Sequence, residues 1–126
     1  MSSITATVQS FRSDLAFYKD LYKKIHANPE LSHLEMETAA SITRHLRQLN
    51  ADFEIRERIG GHGLFAILRN GEGKTVMLRA DMDALPVLER TGVDYASIKR
   101  QFRSDGQETA VMHGGKLRSF PCCSAL

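Results

Sequence analysis

The spacing of apolar residues changes character near residue 50, and that change limits what the chain can fold into. Before it, Phe11, Leu15, Tyr18, Tyr22 and Ile25 recur at helical intervals, with Lys19, Lys23 and Lys24 off that face. The first helix should stop by Asn28, because Pro29 disfavours helical backbone in the residue before it. A second helix follows, with Ser32 and Glu35 at capping-box spacing, Ala39, Ile42, Leu46 and Leu49 as its apolar stripe, and Asn50 as its stop. After it the period drops to two. Phe53 to Arg58 alternates as a half-buried strand would, and Leu64 to Leu68 and Thr75 to Arg79 read as two more. Asn70-Gly71 and Gly73 between the last two strands predict a hairpin. The segment from Thr91 to Gln107 reads as loop. The order helix, helix, strand, strand, strand predicts an α/β or α+β fold with a mixed sheet.

A chain of 126 residues can bury one modest core. Its formal net charge of +2 is spread along the sequence. No basic stripe interleaved with aromatics is present to stack bases, so a nucleic-acid partner is not expected. The apolar runs are too short to span a membrane, and the N-terminal residues lack the apolar stretch of a secretory signal. Cys122 and Cys123 are adjacent and cannot form a disulfide framework, so a cytoplasmic location is the expectation. The last four residues, Cys123-Ser124-Ala125-Leu126, formally resemble a prenylation box, but Ser124 is not aliphatic. Residues 1–10 are expected to be a flexible leader and 114–126, which lack periodicity, a disordered tail.

Chemistry is concentrated in Val76-Met77-Leu78-Arg79-Ala80-Asp81-Met82-Asp83-Ala84-Leu85-Pro86. An apolar strand runs into two carboxylates and stops at a proline. Ligand sites in α/β sheets gather where strands end. A spacing of two on extended chain puts Asp81 and Asp83 on one face. Such a pair can bind a cation, orient a histidine, divide acid and base roles, or do no more than cap the turn before Pro86.

The other polar features are weaker. His26 and His33 flank Pro29 and do not share a helical face. His45 reads as solvated helix surface, and His62 in Gly60-Gly61-His62-Gly63 as part of a turn. His113 becomes a ligand candidate only if further ligands lie nearby, since a catalytic zinc takes about three protein ligands. The glycine-rich segments 60–63 and 70–75 lack phosphate-loop spacing followed by a helix and read as hairpin turns.

Taken together, several stretches resemble one family. His26-Ala27-Asn28-Pro29-Glu30-Leu31-Ser32 with Glu35 and Thr38-Ala39-Ala40, then Leu78 to Pro86, Glu89-Arg90-Thr91-Gly92, Tyr95-Ala96-Ser97 and Val111-Met112-His113 look like the N-terminal part of the metal-dependent amidohydrolases. That family includes aminoacylase, hippurate hydrolase and auxin-conjugate hydrolases. The resemblance implies a partial zinc-peptidase-like catalytic domain over 11–113 and, for the full-length family, a two-metal zinc or manganese site and a homodimer. It implies cleavage of the amide bond in N-acyl amino acids. It also places Asp83 as the carboxylate that orients a metal-bound histidine. Asp81 stands where related metallopeptidases carry that histidine.

The sequence departs from the family after His113. Where the family has Ala-Cys-Gly-His-Asp, with Cys and His as metal ligands, this chain has Gly114-Gly115-Lys116-Leu117-Arg118. No adjacent glutamates supply the general base. The expectation is therefore an amidohydrolase by descent, with the alternative that these 126 residues form an incomplete module without hydrolytic activity. A partly built sheet is also expected to leave an open edge and an exposed apolar face.

Overall fold

A computed structural model describes residues 15–49, 51–114 and 120–122. Residues 1–10 and most of 114–126 lie outside the described residues. Helix α1 spans Leu15–Ala27 and α2 spans Met36–Gln48. The strands are β1 (Phe53–Ile59), β2 (Gly63–Leu68), β3 (Met77–Arg79), β4 (Arg100–Phe102), β5 (Glu108–Ala110) and β6 (Phe120–Cys122).

The two helices form where the apolar spacing predicts, but α2 starts by a different device. Its cap position is Glu35, and no side chain there bonds the helix end. Instead the buried Glu30 reaches forward. Its carboxylate accepts the N–H of Thr38 at 2.7 Å and that of Glu37 at 3.2 Å. A carboxylate at this end satisfies two orphan donors and meets the positive end of the helix dipole. The Ser32–Glu35 capping box is not formed; Ser32 is exposed in the turn that precedes α2. The expected stripe of Ala39, Ile42, Leu46 and Leu49 is half-buried, while Thr38 and Thr43 are the buried residues of α2. Leu49 is the C-cap residue, and the predicted stop, Asn50, lies outside the described residues.

Strands β1 and β2 pair antiparallel, from Phe53 opposite Leu68 to Ile59 opposite Gly63, with a bulge between Glu57 and Ile59. The turn needs its glycines. Gly60 and Gly61 have φ of 63° and 119°, and a Cβ at Gly63 would collide with the Ile59 carbonyl oxygen. The hairpin expected at Asn70–Gly73 does not join neighbouring strands. β3 pairs with β6, with Met77 opposite Cys122 and Arg79 opposite Phe120. Part of the segment expected to be a disordered tail is therefore a strand here. The expected loop from Thr91 to Gln107 ends in a hairpin strand, because β4 pairs with β5 around a turn at Gly106. Among the described residues the sheets are three two-stranded antiparallel ribbons, not one mixed sheet. The parallel element is a single bridge, Leu31 to Ala84.

That bridge lies at the centre of the packing. Among the described residues, Leu31, Ala84 and Val111 are the buried apolar side chains, and Pro29 is fully buried as well. Ala84 donates its N–H to the Glu30 carbonyl at 2.7 Å, and Leu85 exchanges both backbone bonds with Met112, at 2.9 and 3.0 Å. Gln101 on β4 accepts the Leu31 N–H at 2.8 Å. Three distant stretches of chain thus meet at residues 29–31. Replacing Glu30 with Ala should cost about 2 kcal/mol, from a lost cap and buried charged hydrogen bonds. Ser32→Ala should change stability by no more than about 0.5 kcal/mol. Urea denaturation of the two variants measures the contrast, and equal losses would return the capping role to Ser32.

Candidate functional site

The acidic segment leaves β3 and enters the central bridge. Asp81 and Asp83 stand between Arg79, the last residue of β3, and Ala84, which is pinned to Glu30. Their environments differ. Asp81 accepts a 3.1 Å hydrogen bond from Arg79 and both side chains are exposed. An exposed pair of this kind contributes little stability, but it orients the carboxylate. Asp83 is exposed as well, and its charge acts on buried His113, favouring the protonated imidazole.

His113 follows Met112, which Leu85 holds by paired backbone bonds. It belongs to a cluster that sequence spacing does not reveal. His26, at the end of α1, lies 5.8 Å from His113 between ring centroids. Tyr95 packs edge-on against His26 at 5.2 Å, and Tyr22 contacts the rings of His26, Tyr95 and His113. The reading of His113 as dependent on nearby partners thus acquires a context: His26, Glu89 and Asp83 all act on it.

Glu89 anchors the cluster. Its side chain is fully buried, and its Oε1 meets Nε2 of His26 at 2.8 Å. The Thr91 hydroxyl donates to the same oxygen, while Oε2 accepts the Ser97 N–H at 2.7 Å. Burial pushes the Glu89 pKa up, but the hydrogen bonds from His26, Thr91 and the Ser97 N–H outweigh it and hold the group at about 2. The Nδ1 atom of His26 is buried with no hydrogen-bond partner. Burial lowers the His113 pKa, and the neighbouring His26 adds to that effect. Asp83 and Glu89 oppose it.

The remaining histidines divide. His33 is exposed, in a turn with φ of 66°. His62 is half-buried in the β1–β2 turn. His45 is not plain solvated surface: it is half-buried and stacks on Phe17 at 5.1 Å. Among the described residues, no three His, Cys, Asp or Glu side chains are grouped so as to hold a metal ion. The zinc or manganese implied by the resemblance therefore finds no ligand set in them. The sequence signal for the buried cluster was thin. Glu89, Thr91 and Ser97 lie close in the chain, but His26 is 63 residues away from Glu89, and no local period predicts that pairing.

Relatives decide the family. A thermostable carboxypeptidase of Saccharolobus solfataricus is 36% identical over 115 residues, which take in 86% of this chain and 29% of the carboxypeptidase. A hippurate hydrolase of Campylobacter jejuni is 35% identical over 104 residues, 79% of this chain and 27% of that protein. An N-acetyl-L-cysteine deacetylase of Bacillus subtilis is 43% identical over 76 residues, 60% of this chain and 18% of the deacetylase. The chain belongs to this amidohydrolase family and represents a part of it. It spans less than a third of the length of these relatives. No family model matches the chain, and no solved structure matches it significantly. Among the described residues, no helix is long and apolar enough to cross a membrane.

Among the groups whose pKa is shifted, buried His113 and Glu89 give the family segment a defined acid sensitivity. His113 stays neutral more readily when folded than when unfolded, so its contribution is present above its ordinary pKa of 6.5 and is lost as the pH falls below that value. Glu89 contributes above 4.5 and loses that contribution as the pH falls toward about 2. Thermal melts between pH 8 and pH 3 should show stability falling in two stages. His113→Gln should flatten the upper stage and Glu89→Gln the lower. A profile that is flat across both windows would contradict the assignment.

Proposed function

We propose that the segment from β3 to Ala84 is the acidic edge of an amidohydrolase site acting on the amide bond of N-acyl amino acids or related conjugates. The reading rests on one observation: Asp83 sits on a segment locked between Glu30 and Met112, close enough to bias the protonation of buried His113. A carboxylate whose charge acts on an imidazole raises that imidazole's proton affinity. Asp83 is assigned that role. Asp81, held by Arg79, contributes negative charge at the mouth of the same segment. The names of the hippurate hydrolase and the deacetylase support a small amide as substrate.

The amidohydrolases that the chain resembles use zinc or manganese to lower the pKa of a bound water. The described residues supply no such ligand set, and no hydrolytic step is assigned to them. The proposal therefore has two parts. Residues 15–113 retain the family scaffold around Asp81 and Asp83, and the 126-residue chain by itself does not turn over N-acyl amino acids.

A chimera separates these parts. Residues 15–113 would replace the matching segment of the Campylobacter hippurate hydrolase. The chimera should hydrolyse hippurate, and Asp83→Asn within it should lower kcat/KM by about 10- to 100-fold. Asp81→Asn should have a smaller effect. The 126-residue chain with added zinc or manganese should show no turnover above a blank. A folded chimera indifferent to Asp83→Asn would refute the first part, and turnover by the 126-residue chain would refute the second.

A further inference from the structure

A cleft of about 300 Å³ lies between α1, α2 and the segment leading into β4, away from Asp81 and Asp83. Lys24 of α1, Arg44 of α2 and Lys99 line it, together with Thr38, Ser41 and Glu37. Three cations and one carboxylate leave a net charge of +2 around the cleft (3 − 1 = 2). The cations come from three separate parts of the chain. Among the described residues none of the three is in an ion pair, whereas Lys23 and Arg100, next to Lys24 and Lys99 in the sequence, are paired with Asp94 and Glu108. Lys24 and Arg44 also line an adjoining groove toward Phe17, where Asp20 offsets one of the two charges.

The position of each cation is fixed by its element. The carbonyl of Lys24 accepts a 2.9 Å bond from the Asn28 side chain, which closes the last turn of α1. The Glu30 carboxylate sets the start of α2, and hence the rotation that brings Ser41 and Arg44 to the cleft. The Lys99 N–H donates to the Ser97 hydroxyl at 3.2 Å, and the Lys99 carbonyl accepts from Val111 at 3.0 Å. Like charges drawn around one concave surface repel each other unless an anion lies between them. Arg44 offers a planar fork suited to paired oxygens, and the two lysines offer point charges. The volume suits a small metabolite.

We propose that this cleft binds a small polyanion bearing phosphate or several carboxylates, with Lys24, Arg44 and Lys99 as its cationic contacts and Ser41 as a hydroxyl contact. The site is separate from the amidohydrolase reading and stands or falls without it. Its ligand lies against both helices and the Lys99 segment, so occupancy stabilises their arrangement by mass action.

Calorimetric titration of the 126-residue chain at 0.15 M salt tests the proposal, with inorganic pyrophosphate, citrate and acetate as probes. Pyrophosphate or citrate should bind and raise Tm, and acetate should do neither. Tighter binding of pyrophosphate identifies a phosphate ligand, and tighter binding of citrate a polycarboxylate. Arg44→Gln and Lys99→Gln should each weaken binding about tenfold, the loss expected for one charged contact. Arg69→Gln removes an exposed cation outside the cleft and should leave binding unchanged; circular dichroism checks that all three variants fold. The proposal is overturned if neither polyanion binds at millimolar concentration. It is equally overturned if Arg69→Gln weakens binding as much as Arg44→Gln, since binding would then follow overall charge.

Discussion

The fold depends on the few polar bonds made by Glu30 and Leu31. The Glu30 carboxylate starts α2, its carbonyl holds Ala84, and the Leu31 N–H engages Gln101 on β4. A buried carboxylate is costly unless fully hydrogen-bonded, and here two backbone donors satisfy it. The same residue thus serves a helix end through its side chain and a strand bridge through its backbone. Pro29, fully buried, fixes the backbone on entry to this junction. The apolar core around it is small among the described residues: Leu31, Ala84 and Val111.

Local features were legible in the sequence. The helical period predicts α1 and α2 within a few residues, alternation predicts β1, and the short apolar run from Leu64 to Leu68 predicts β2. The run into Asp81 ends in β3 as expected. Features that depend on distant partners were not legible. Ser32 and Glu35 have ideal capping spacing, yet Glu30 takes that position because its backbone is already fixed by Ala84. Asn70-Gly71 is a strong turn signal, but β3 finds its partner at 120–122. The β4–β5 hairpin escapes notice because three-residue strands are too short to establish a period. For the site, Asp81 and Asp83 are conspicuous, whereas the Glu89–His26 pair is invisible until the chain is folded.

The exposed surface fits a family segment spanning less than a third of its relatives' length. Val76, Met77 and Leu78 are 68%, 57% and 71% exposed, although Met77 and Leu78 lie on β3 just before the acidic pair. Leu85, Val87 and Leu88 just beyond the pair are also exposed. An exposed apolar surface of that kind is ordinarily covered by other chain. The Glu30–Ala84 junction holds Asp83 in place even so, because backbone bonds on both sides of Ala84 and Leu85 do not depend on that cover. Exposed apolar strand and fixed acidic segment thus coexist in one stretch of chain.

Amide hydrogen exchange under native conditions tests that junction most directly. The N–H groups of Thr38 and Ala84, which both bond Glu30, and that of Met112, which bonds the adjoining Leu85, should exchange together and among the slowest in the chain if the junction opens as one unit. If Ala84 and Met112 exchanged at loop rates while Thr38 stayed protected, α2 would be independent of the acidic segment, and Asp83 would have no fixed place beside His113.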